Sequence, residues 1–150
     1  MKRGIQKKLL NHYLTLNLPG AGAFAAIYTL NKTLPEMHIM VHEGPKWAII
    51  GILVLQGIFA VALPLWYRIG FVNQMKTNKS TSVQAFRQFE KRFLTLATPS
   101  LYLLIPGYVL SPSQGTFAAM VLFALYSLYF YFPSQKRILA EKKLFRVEKK

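Results

Sequence analysis

From Trp47 to Tyr67 the chain carries no charged side chain, and only Gln56 is polar near the middle of the run. A helix needs about 20 such residues to cross a hydrocarbon layer roughly 30 Å thick. In lipid each backbone N–H and C=O must be satisfied within the structure, so a run like this reads as a helix rather than an isolated strand. Three further apolar segments follow the same pattern at about 12–30, 93–110 and 116–132, each extendable by its flanking residues. Four segments that approach spanning length predict an all-α membrane protein with four transmembrane helices.

The charges between these segments set a predicted orientation. Of the 19 Lys and Arg residues, all but Lys32 and Lys46 fall in three places: the first eleven residues, the 68–92 connection and the tail after Pro133. The 31–46 loop offsets its two lysines with Glu36 and Glu43, and the 111–115 turn has no basic residue. Positive loops stay on the cytoplasmic side, which puts both termini and the middle connection inside. An even number of spans requires the same arrangement. The balance of +14 therefore reads as membrane topology. A nucleic-acid module would need a soluble core to carry its basic face, and this chain offers none. A signal-peptide reading of Lys2–Ala23 meets His12 and Asn17 inside the apolar stretch, and apolar character runs on to Leu30; a retained first span fits better. The absence of Cys excludes thiolate metal sites and Cys nucleophiles.

An internal repeat shapes the four spans further. Residues 13–30 and 93–110 align without gaps at Leu14/Leu94, Thr15/Thr95, Leu16/Leu96, Pro19/Pro99, Tyr28/Tyr108 and Leu30/Leu110. Each copy is followed by an apolar segment that ends in a matching motif, Pro64…Arg68-Ile69 and Pro133…Arg137-Ile138. The expected architecture is a single membrane domain of two tandem helical hairpins, a parallel repeat about an axis along the membrane normal. Hairpin 1 covers about 1–70 and hairpin 2 about 83–139, with the cytoplasmic connection at about 68–92 and a basic tail to 150. Within the connection, Thr81-Ser82-Val83-Gln84 predicts a capping box. Val83, Phe86, Phe89 and Phe93 then recur at helical spacing, which predicts an interfacial helix running into the third span.

Candidate chemistry is sparse. Asn17, Gln56, Thr95, Thr98, Ser100 and Tyr102 gather around the paired prolines and are the candidate ligand-binding residues, because breaks at equivalent places in two halves point to a transporter's substrate site. The competing reading is helix packing, with hydroxyls bonded back to freed carbonyls. His38 and His42, with Glu43, have a spacing that suits a metal, but two histidines fall short of a zinc set. Arg68, Arg92, Lys136 and Arg137 are candidates for anionic-lipid contact, or simply anchors at helix ends. No ionisable residue lies inside a predicted span, which argues against proton-coupled transport. No cofactor is expected.

The expected function is an accessory or scaffolding subunit in a membrane complex or homo-oligomer, without an evident catalytic site. The expected partners are the lipid bilayer, anionic lipids at the cytoplasmic face and a membrane protein or second copy, with no nucleic acid. The expected location is the bacterial cytoplasmic membrane. The alternatives are a small-solute transport unit near Pro19 and Pro99, and an interfacial enzyme or metal-binding protein using the His38/His42 loop.

Overall fold

The computed structural model describes residues 2–33, 44–76, 81–110 and 113–147. They form helices joined end to end into four long rods and a short one. The first rod is α1 (Lys2–Thr33). The second is α2 (Lys46–Gly57), a π turn (Ile58–Ala62) and α3 (Leu63–Lys76). The third is α4 (Val83–Ala97), α5 (Pro99–Tyr102) and α6 (Leu104–Val109). The fourth is α7 (Gln114–Phe130), from which α8 (Gln135–Leu144) turns away by 71°. Among the described residues there is no strand, only an isolated bridge between Thr81 and Val147.

The second rod is the one helix among the described residues that is long and apolar enough to cross a membrane; α7 with α8 passes the same test only as one bent unit. Its apolar surface faces outward. Trp47 and Trp66 are 77% and 75% exposed, and Ile50, Val54, Leu55, Ile58, Val61 and Leu65 are exposed between them. At 1.5 Å per residue the two tryptophans stand about 28 Å apart along the axis, close to the thickness of a hydrocarbon layer.

The third rod is the hub. It packs against α1, against α2 and α3, and against α7, while α7 also packs on α2. The first rod reaches the fourth through the Tyr13 hydroxyl, which donates to the Leu128 carbonyl at 2.8 Å, and through Phe24 against Phe117. The first and second rods are not a principal packing pair. Rather than pairing with each other, the two arms of the expected first hairpin straddle the second. The 31–46 connection, longer than the 111–115 turn, gives the chain the reach for this separation.

Two cores stack along the rods. One joins Leu101, Leu104, Met120 and Ala124. The other is aromatic and gathers Phe86, Phe89, Phe93, Tyr131 and Phe145 with Ile5, Leu9 and Tyr13. The expected basic arm is therefore the opening of α1, and it buries Ile5, Leu9 and Tyr13 at four-residue spacing. The expected interfacial stripe on α4 also faces protein rather than lipid, because α1, α3 and Phe145 cover it. The N-cap of α4 is Ser82, whose hydroxyl accepts from the Ala85 N–H at 3.2 Å. Thr81 is drawn away from the expected capping role: its N–H donates to the Arg146 carbonyl and its hydroxyl contacts the Met75 sulfur.

Two of the proline breaks are closed by side chains of neighbouring rods. Pro64 cannot donate to Ala60, four residues before it; the buried Tyr131 hydroxyl donates to that carbonyl at 2.7 Å. The Ser127 hydroxyl donates to the Ala97 carbonyl at 3.0 Å, just before the Pro99 break. Tyr131→Phe leaves the Ala60 carbonyl unpaired in the interior. It is expected to cost about 1–3 kcal/mol, read as a lowered unfolding temperature in detergent micelles with helix content retained.

Candidate functional site

The repeated Pro-x-x-x-Arg-Ile motifs bring their arginines to one place. Pro133 and the turn at Tyr131–Ser134 bend the chain so that α8 folds under the bundle. The Ser134 hydroxyl caps α8 by accepting from the Arg137 N–H at 3.2 Å. On α8, Ile138 and Glu141 are buried three residues apart, and Phe145 continues the face one turn on. On α4, Phe86, Phe89, Glu90 and Phe93 form the facing stripe. Docking these two faces places one carboxyl from each helix side by side in an aromatic surround.

Four charged side chains meet there. Arg137 Nη2 donates to Glu90 Oε2 at 2.5 Å, and Arg68 Nη2 lies 3.9 Å from Glu141 Oε1. Glu90 is fully buried, whereas Arg137 keeps 16% of its side chain exposed. The Arg137 guanidinium also sits 5.7 Å from the centre of the Phe93 ring. Glu141 is the neighbouring acid, and Glu90 Oε1 and Glu141 Oε2 are both buried without a hydrogen-bond partner among the described residues. Burial drives the Glu90 carboxyl well above the usual range, the neighbouring Glu141 adds to that, and Arg137 opposes it. The result is a carboxyl pair flanked by two guanidiniums, fixing α3, α4 and α8 to one another.

Beside the cluster a groove of about 560 Å³ opens along the α7–α8 bend. Leu125, Leu128, Tyr129, Phe130 and Phe132 line it, with Ser134 and Arg137 at its polar end.

The residues expected to bind ligand lie elsewhere, and their polar atoms bond mainly to helix backbone. Asn17 donates to the Tyr13 carbonyl, Thr98 to Leu94 and Ser100 to Phe123. Tyr102 donates to Leu16, beside the Pro19 position. Thr95 donates to Lys91 and also meets His12 Nε2 at 3.3 Å. Gln56 is fully buried and donates to both Ser100 and Met120, tying three rods together. Gln56 and Ser100 are thus brought together, but in packed interior. His38, His42 and Glu43 lie outside the described residues; among those described, no cluster of three metal-ligating side chains occurs. Of the basic candidates, Arg68 and Arg137 enter the charge cluster, while Arg92 and Lys136 remain exposed.

The candidate residues read from the sequence did not include Glu90 or Glu141. The signal for them was available: each is an acid on the apolar face of an otherwise basic helix, one position or one turn from the phenylalanines. No protein family, curated relative or solved structure matches this chain.

Proposed function

We propose that the chain is a four-span membrane protein with both termini inside, serving as an accessory subunit that packs against a partner membrane protein or a second copy of itself. The second rod carries this reading. Its apolar residues are turned outward along a length that fits a bilayer, with a tryptophan at each end where aromatic rings settle at the interface. The helix of a soluble core would bury that surface. The other three predicted apolar segments fall largely within helical rods, and the break at Pro99 is closed by the Ser127 hydroxyl, as lipid demands. The polar residues near Pro19 and Pro99 bond to backbone, which favours packing over a substrate path.

The chain has no Cys, which makes labelling clean. A single Cys at Lys32 or Lys46 is expected to react with a membrane-impermeant maleimide in intact cells. A Cys at Gln84 or Lys143 is expected to react only after permeabilisation. The opposite pattern, or equal labelling at all four, overturns the topology. Co-purification of a stable partner, or a discrete oligomer in mild detergent, is the expected result for the accessory role. A monodisperse monomer without a partner argues against it.

A further inference from the structure

We infer that the groove at the α7–α8 bend is a binding site for one membrane phospholipid with an anionic headgroup, its acyl chain along Leu125, Tyr129 and Phe130 and its phosphate held at Arg137 and Ser134. The inference rests on the membrane reading above and adds to it a specific ligand and a place.

The groove is apolar along its length and cationic at one end, which is the polarity of a lipid. Its volume of about 560 Å³ is in the range of small-molecule sites. It opens on the outward face of the fourth rod, where Tyr129 is 87% exposed, so the occupant reaches it sideways from the bilayer. A peptide would have to enter the same lipid-facing surface.

Arg137 is only partly occupied by the protein. Its Nη2 pairs with Glu90, while its Nε and Nη1 are buried and have no hydrogen-bond partner among the described residues. A guanidinium presents five donors in a fork that matches phosphate oxygens. Arg137 lines the polar end of the groove, and a phosphate bound there supplies a partner for its unused edge. The first turn of α8 adds the positive end of a helix dipole at the same spot, and Lys136 is exposed beside it.

The test uses the full chain in mild detergent, titrated separately with phosphatidylglycerol, phosphatidylcholine and inorganic phosphate, with the unfolding temperature as readout. A ligand that binds only the folded state raises that temperature with concentration. Phosphatidylglycerol is expected to raise it at a concentration about five- to tenfold below that required of phosphatidylcholine, and inorganic phosphate is expected to do nothing. Two variants localise the effect. Leu125→Trp fills the groove and leaves the charges in place. Glu90→Gln with Arg137→Gln removes both halves of the ion pair, so no unpaired charge is buried. Each is expected to abolish the preference for phosphatidylglycerol. Equal shifts from the two lipids, a shift from inorganic phosphate alone, or a preference that survives both variants overturns the site. Those outcomes leave the membrane assignment standing; failure of the protein to float with phosphatidylcholine vesicles overturns that assignment instead.

Discussion

Arg137→Ala is expected to lower folding stability by about 1.5–3 kcal/mol, the worth of a buried hydrogen bond to a charged group. Glu90 is fully buried and Arg137 is its charged hydrogen-bond donor. Truncating the arginine leaves the acid among Phe86, Phe89 and Phe93 with Glu141 as its neighbour. Glu90→Gln behaves differently. A glutamine keeps an acceptor for the Arg137 guanidinium and removes the buried acid, and its cost is expected to be well under half that of Arg137→Ala. A double-mutant cycle from chemical unfolding separates the pair energy from the cost of the orphaned group. Equal losses for the two single variants would show that both carboxyls are ionised.

The same pair sets a pH dependence with a definite sign. The Glu90 carboxyl is raised in the folded chain from an ordinary value of 4.5. Below that value the acid is protonated in both states and its full contribution is present. As pH rises from there toward the raised folded value, the unfolded chain releases the proton first, and the wild-type protein loses stability. Glu90→Gln is expected to flatten this decline between mildly acidic and alkaline pH. An unchanged slope would place the proton on another group.

How much of this was legible depends on what each residue had to be read against. The four apolar segments were visible because charge is excluded from them, and all four lie largely in helix, although the first and third helical rods begin well before them, at Lys2 and Val83. The matched threonines were legible too, since Thr15 and Thr95 make the same bond to the carbonyl four residues back. Tyr28 and Tyr108, paired in the repeat, meet at a tilt of 55° with their ring centres 5.9 Å apart. The prolines were only half legible. Pro19 sits inside a continuous α1, whereas Pro99 opens a new helix after a break at Thr98. The difference lies in neighbours that the local sequence does not name, Tyr102 for the first and Ser127 for the second. The charge cluster was hidden for a similar reason. Arg68 and Arg137 look like helix-end anchors one at a time, and their function as partners of Glu90 and Glu141 appears only once the 71° turn brings α8 under the bundle.

Phe89→Ala is expected to be the most damaging single truncation in the aromatic core, at about 3–5 kcal/mol. Its ring stacks on Phe71 at 4.1 Å and on Tyr67 at 5.4 Å, and meets Phe145 edge-on at 5.2 Å and Phe93 at 5.6 Å. Each good aromatic pair adds about 0.5–1.5 kcal/mol beyond the area it buries, and these four pairs connect α3, α4 and the end of α8. The loss should therefore be uneven across the molecule. Removing the ring takes away the surface on which Phe145 rests, so α8 is expected to undock while the Lys46–Met75 rod, which buries little, keeps its helix. Limited trypsin digestion reads this directly, through faster cleavage at Lys142 and Lys143 in the variant than in the wild type. Leu122→Ala is the control. That side chain is 66% exposed on the outward face of α7, and its loss is expected to cost roughly 0.5 kcal/mol or less. If Phe89→Ala left cleavage in α8 unchanged, the aromatic cluster would not be what holds that helix in place, and the ion pairs alone would have to do so.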